Sequence, residues 1–360
     1  MTFVSLNVHP ERWEHGSEFS WVDFEPQPAV LEGTFFAAGR DALRALARLL
    51  KAKGSERWHV PAYFCPEVVD AILEEAKDVV GYADDPSDPS APIGNVDAVV
   101  GDVVLVVNTL GLRSPSAWKA LAGVTLVEDH THDPWSTWAE QSTADYCVVS
   151  YRKTLPVTDG AIVRSPTGQP LPSEPEQTAE RRAATADKLA AMLLKRLYLQ
   201  GGSANKATYR ELQRRGEAAI ASGDPSGGSA LGRSLIASFP WESWRLARSR
   251  NHTMFADMLA EVRGVSVLNA QADSGSCPFS LVLTLPDNGQ RESLQQHLIA
   301  QGVYPAVLWS IPNDAAWSRR KSRELGARML SLHCDGRYGP NSIARVANIV
   351  KRWANLRAHG

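Results

Sequence analysis

The stretch VEDHTHDPWSTW, residues 127–138, ends an apolar run with two acids, two imidazoles and two tryptophans. Val124–Val127 has the short, β-branched character of a buried strand, and Glu128–Asp129 closes it. Turns collect Asp, His and Pro for their own reasons, so the neighbouring runs decide what the polarity means. VDAVVGDVVLVVNTLG (96–111) contains Val103–Val107 and closes on Asn108. ADYCVVSYRKT (144–154) contains Cys147–Val149, closes on Ser150 and then reaches Lys153. Such runs, separated by stretches able to hold crossovers, predict an α/β chain. Its sheet is expected to be covered on both faces and mostly parallel in its middle. Open parallel sheets bind ligands beyond the carboxyl ends of their strands. Asn108, Asp129 and Ser150 are therefore expected to face one crevice, with Lys153 beside it.

Upstream, FFAAGRDALRALARLLKAKG (35–54) places Ala42, Leu43, Leu46, Leu49 and Leu50 at helical spacing from Asp41 onward. Gly39 permits a tight approach to this helix, whose unpaired first N–H groups suit a phosphate. In residues 57–85 the order is strand, turn, helix, strand, with Pro66 opening the helix. PSAWKALAG (115–123) is a short helix candidate, and residues 174–200 are rich in strong helix formers. The glycine-rich 222–232 stretch reads as a flexible linker. Beyond it, helices alternate with a few strands. The expected organisation is an N-terminal arm (1–30), a large domain (31–221), the linker and a small C-terminal α/β domain (233–360).

The 360 residues suffice for a large core and a second domain. A formal net charge of -2 gives no basic field for nucleic acid or an anionic membrane. The four cysteines, Cys65, Cys147, Cys277 and Cys334, form no CxxC pair, which argues against a disulfide framework or structural zinc. No apolar run reaches membrane-spanning length and the first residues lack a secretion signal, so the expected location is the cytoplasm.

An amine in a desolvated crevice is a nucleophile, because burial lowers its pKa. A nearby carboxylate can hold a protonated ring nitrogen, and a helix start can hold a phosphate. Lys153, Asp129 and the Gly39–Asp41 helix start thus meet the three demands of pyridoxal phosphate. The competing reading is an α/β domain whose loops happen to be polar.

Three short motifs recur in order with characteristic spacing: GR-x-AL at Gly39–Leu43, P-x-Y-x-C at Pro61–Cys65 and CD-x-RY at Cys334–Tyr338. With them the chain, from about residue 30 to 355, resembles the DegT/DnrJ/EryC1/StrS group. This is the sugar aminotransferase-like branch of fold type I pyridoxal phosphate enzymes. The resemblance implies a large domain with a mostly parallel sheet, a smaller C-terminal domain and a homodimer. It places Asp129 against the pyridine nitrogen and His132 near the ring's phenolic oxygen. Lys153 matches the Schiff-base lysine that also shifts the substrate proton. Ser150 and the backbone at Gly39, Arg40 and Asp41 match the phosphate seat. Asn108 lies where the group often has a histidine near cofactor or substrate. The implied reaction moves an amino group from a small amine donor such as glutamate to a keto acceptor such as a nucleotide-linked keto sugar.

Departures are visible. LPVTDGA (155–161) stands where the group has GEGG. The aromatic residue that stacks on the ring is replaced by Cys65 or displaced to Tyr63 or Phe64. Several roles stay open on the residues alone. His130 caps the turn or touches the site, and Trp135 and Trp138 read first as packing. A zinc site at His130, His132 and Asp133 lacks a fourth ligand. Arg337 binds a substrate carboxylate or pairs with Asp335. Tyr304 and Trp309 belong to a substrate-binding cofactor mouth or to the small-domain core. A pyridoxal phosphate enzyme of another reaction type and a non-catalytic relative are the remaining alternatives.

Overall fold

The computed structural model describes residues 6–27, 30–87, 96–113, 121–221, 223–268, 270 and 275–358. The helix candidate at 115–123 falls mostly outside them.

In the N-terminal part the order is β1 (Thr34–Phe36), α1 (Gly39–Ala52), β2 (Arg57–Pro61), α2 (Pro66–Leu73) and β3 (Asp78–Tyr82). Then come β4 (Val103–Val107), β5 (Thr125–Asp129), β6 (Tyr146–Ser150) and β7 (Ala161–Arg164). They form a seven-stranded sheet of order β1-β7-β6-β5-β4-β2-β3. The five strands from β3 to β6 are mutually parallel, while β7 runs antiparallel to both β6 and β1. β4 and β6 are buried at every position, as a sheet covered on both faces requires.

α1 begins at Gly39 and lays Ala42, Leu43, Leu46, Ala47 and Leu50 on the sheet. These side chains join Trp58, Leu105, Val127 and Tyr146 in one core. Ala38, at the N-cap of α1, supplies no side-chain cap, so the first turn's N–H groups lack that partner.

Two helices follow, α3 (Ala179–Leu199) and α4 (Lys206–Ala221), packed as a hairpin. α3 starts only after Thr178, whose side chain accepts the Arg181 N–H. Pro175 just upstream fits the later start, since proline is poorly tolerated in a helix interior. Part of the stretch expected as a linker packs against the large sheet. Ser226 is buried, its carbonyl accepts the Ala37 N–H at 2.9 Å, and Ser229 Oγ donates to Asp159 at 2.7 Å. Ser229 also caps α5 (Ala230–Ser238).

The C-terminal part contains α6 (Trp241–Leu259), β8 (Ser266–Leu268), β9 (Leu281–Thr284) and α7 (Asn288–Ala300). α8 (Arg320–Arg328), β10 (Met329–Leu332) and α9 (Pro340–Ala358) complete it. β8, β9 and β10 form an antiparallel sheet of order β10-β9-β8, packed with α6, α7 and α9 around a separate core. The N-terminal arm joins this part through His15–Gly16, which pair in parallel with Val303–Tyr304. No helix among the described residues is long and apolar enough to cross a membrane.

Candidate functional site

Strand register builds the floor of the site. Val107 of β4 lies opposite Asp129 of β5, and Asp129 opposite Val148 of β6. This cross-strand row lines a cavity of about 280 Å³ at the carboxyl ends of the parallel strands. The start of α1 adds Gly39 and Arg40, and the turn after β6 adds Lys153. Phe279, Leu308 and Trp309 close it from the C-terminal part. Asp129, His132, Ser150, Lys153, Gly39, Arg40 and Cys65 are thus brought together around one volume.

Asp129 is buried, and burial raises its carboxyl above the ordinary value against the opposing pull of Thr131. The Thr131 N–H donates to Asp129 Oδ1 at 2.8 Å, while Thr131 Oγ1 accepts the Ser150 N–H at 3.0 Å. One threonine therefore fixes both strand ends. Ser150 Oγ is buried with no hydrogen-bond partner among the described residues, an orphan that is costly unless a ligand satisfies it. A Cβ on Gly39 would lie 3.0 Å from Ser150 Cβ, so the close approach of α1 to that serine leaves little room for a side chain there.

Lys153 remains accessible through the cavity although protein surrounds it. Its amine has no hydrogen-bond or ion-pair partner among the described residues. The Arg152 guanidinium and burial hold its pKa below the ordinary lysine value, against the raising effect of Glu217. Glu217, projecting from α4, accepts two bonds from Arg152 at 3.0 and 2.9 Å and one from Lys188 at 2.7 Å. Arg40 approaches the same carboxylate at 3.8 Å. Arg152, Lys188 and Lys153 together hold the Glu217 carboxyl well below the usual range, outweighing its burial.

His132 Nδ1 accepts the Leu110 N–H at 3.0 Å, which places the proton of the neutral ring on Nε2. Burial, then the Lys153 charge, lower its pKa to about 3. The ring packs against Phe279 (centroids 4.5 Å, 32°) and Trp309 (5.8 Å, 17°). Cys65 lines the cavity with Sγ 2.8 Å from Glu67 Oε2, and burial pushes its thiol up to about 12.

Other expected site residues lie elsewhere. Asp41 pairs with Arg181 at 2.8 Å inside the core, because two residues of helix turn it away from Gly39. Tyr63 is buried and donates to the Leu308 carbonyl, so Phe64 is the aromatic of that turn which lines the cavity. Asn108 follows Val107 by one residue and faces away. Its Oδ1 accepts the Arg113 N–H at 3.1 Å. Arg337 is spent on Asp335, with two contacts of 2.8 Å, and Tyr304 accepts Lys206 at 2.7 Å. Neither reaches the Lys153 cavity. His130 pairs with Glu128 at 2.9 Å and Asp133 with Arg245 at 3.1 Å, so the three groups weighed for zinc point to separate partners. Trp135 packs flat on Trp241, with centroids 5.1 Å apart.

Thr131, Arg152, Glu217, Phe279 and Leu308 were not anticipated. Arg152 adjoins Lys153, and Thr131 lies inside the polar turn, so both were within reach of the sequence. Glu217 sits in a polar helix with no local mark of a site.

No family model matches the chain, and no curated protein matches it. Solved structures do. DesV of S. venezuelae, determined in complex with a ketimine intermediate, is 17% identical with a TM-score of 0.62, covering 91% of this chain and 85% of its own. A DegT DnrJ EryC1 StrS aminotransferase from Brucella abortus is 16% identical with a TM-score of 0.59, covering 90% and 86%. Helicobacter pylori PseC, an aminotransferase involved in pseudoaminic acid biosynthesis, is 11% identical with a TM-score of 0.65, covering 96% and 100%. At this sequence distance the likeness is one of architecture: the chain has the fold type I architecture of the DegT/DnrJ/EryC1/StrS-type aminotransferases.

Proposed function

We propose that the chain is a pyridoxal phosphate-dependent aminotransferase. The observation that carries this is the meeting of Lys153 and Asp129 on one cavity, lined also by a helix start without a side-chain cap and by Ser150, whose Oγ has no partner among the described residues. The residues present fit the cofactor. Ser150, the first turn of α1 and Arg40 would hold the phosphate. Asp129 would hold the ring nitrogen, His132 would donate from Nε2 to the ring oxygen, and Lys153 would engage the aldehyde carbon.

Bound there, pyridoxal phosphate supplies an aldehyde that takes up amines and a ring that accepts electrons. The chain supplies the rest. Asp129 as a carboxylate favours a protonated ring nitrogen through a charge-assisted bond. Thr131 keeps that carboxylate and the Ser150 backbone in fixed relation. Lys153 Nζ, kept below the ordinary lysine pKa by Arg152, is the base that takes a proton from the donor's α-carbon and returns it. His132 stays neutral and donates a hydrogen bond without competing for that proton. Phe64, Phe279 and Trp309 narrow the apolar wall and limit water.

The proposed donor is a small amino acid such as glutamate, and the proposed acceptor a keto-sugar or related small keto compound. In this reading the protein works in the cytoplasm as a homodimer. The test follows the two half-reactions in turn. Cofactor-loaded protein mixed with 15N-glutamate should release one equivalent of 2-oxoglutarate per chain and then pass the label to an added keto acceptor. Retention of all label on glutamate, across a panel of amino acids, would reject amino transfer.

A further inference from the structure

A second cavity, of about 420 Å³, lies away from Lys153. The N-terminal arm, α3 and the loop leading into α9 enclose it. Its apolar wall includes Val8, Trp21, Val22 and Leu199. Lys195 of α3, only 2% exposed, lines the same cavity.

An ammonium has three donors. Lys195 Nζ gives one to Ser17 Oγ at 3.0 Å and one to the Glu18 carbonyl at 2.5 Å, both uncharged acceptors. No carboxylate forms an ion pair with it among the described residues, and its third donor has no partner there. The other charges around it are spent on each other. Glu14 accepts Lys206 and Tyr209, Arg337 is bidentate to Asp335, and Arg196 holds Asp23. Glu18 turns its carboxylate to Lys188 at 3.7 Å, and His333 lies 3.8 Å from Asp335. When protonated, Lys195 carries a charge that no ion pair among the described residues matches, in a cavity with an apolar wall. Leaving a buried charge unpaired is expensive, and a bound anion relieves that cost.

We propose that this cavity is a second ligand site, for a small monocarboxylate with an apolar body, whose carboxylate pairs with Lys195 and whose body lies against Trp21 and Val22. The volume lies within the usual range for small-molecule sites, about 300–1,000 Å³. Burial, then the Arg337 charge, lower the Lys195 pKa to about 7, while Glu14 and Glu18 raise it and Lys206 lowers it. Only the protonated lysine pairs with a carboxylate, so binding takes up a proton near neutrality. The protonated fraction falls from roughly nine-tenths at about pH 6 to roughly three-hundredths at about pH 8.5, which weakens binding about thirtyfold.

The test is calorimetric titration of the full chain with phenylacetate, which stays ionised across this range, with and without saturating pyridoxal phosphate. The expected result is one saturable site per chain, unaffected by the cofactor and about thirtyfold weaker at about pH 8.5 than at about pH 6. Proton uptake should appear as a dependence of the heat on the buffer's ionisation enthalpy. Lys195→Met should weaken binding at least tenfold. No saturable binding, an affinity indifferent to pH, or displacement by pyridoxal phosphate would each overturn the proposal. Should Lys195→Met fail to fold, the wild-type proton uptake alone decides: binding near neutrality without it rejects Lys195 as the partner. The outcome is independent of the reaction proposed at Lys153.

Discussion

Replacing Asp129 with Asn separates two effects that the structure sets against each other. Burial raises the Asp129 carboxyl, so the folded, cofactor-free protein holds that proton more tightly than the unfolded chain does. The group's contribution to stability is therefore present below the unfolded value and is lost as pH rises through the folded value. Asn keeps an oxygen for the Thr131 N–H, now met at 2.8 Å by Asp129, and has no charge to bury. The cofactor-free variant should thus be more stable than wild type at neutral pH. With cofactor the sign reverses. A hydrogen bond to a charged group contributes about 1.5–3 kcal/mol, so its loss should weaken cofactor affinity about 10–150-fold. At a cofactor concentration of about 100 times the wild-type Kd, ligand stabilises wild type by about 2.7 kcal/mol and the variant by only about 0.3–1.4 kcal/mol. Denaturant unfolding of both proteins, with and without cofactor, measures all four quantities. An Asn variant that binds pyridoxal phosphate as tightly as wild type would refute the place given to Asp129 at the ring nitrogen.

Other substitutions test the remaining parts. Gly39→Ala puts a Cβ 3.0 Å from Ser150 Cβ, and overpacking of about 1–3 kcal/mol should fall on the phosphate seat. Cofactor Kd, read by titration of the visible band, should rise while the fold persists. Asp41→Ala breaks a buried pair with Arg181 and should cost about 3–5 kcal/mol of stability in urea unfolding without moving the site of cofactor attachment. A selective loss of cofactor affinity there would reverse the assignment of Asp41 to the core. His132, with its pKa lowered to about 3, binds a proton less readily folded than unfolded, so it costs stability as pH falls from the unfolded value toward about 3. Its imidazole signals should stay flat between about pH 5 and 8 by NMR, and a titration in that window would contradict the neutral donor.

The sheet and the heart of the site were legible because local rules sufficed. β-branched runs marked the parallel strands, and the strand-end rule singled out Asp129 and Ser150 with Lys153 close behind. Asn108 shows where that rule stops. It ends a strand as expected, yet the two-residue alternation turns Val107, not Asn108, into the cavity. Asp41 fails for the matching reason on a helix. Arg337 carried a plausible binding chemistry, but Asp335 two residues earlier already satisfies it. Glu217, Phe279 and Leu308 reach the cavity through tertiary packing from distant segments, which no local periodicity records.

The central claim is that the Lys153 amine and the Asp129 carboxylate grip one ring. Borohydride reduction of the protein with pyridoxal phosphate, followed by peptide mass mapping, tests it most directly. One phosphopyridoxyl group on Lys153, absent from Lys153→Ala, is the predicted result. Label spread over surface lysines, or none on Lys153 while the folded protein binds the cofactor, would contradict the account.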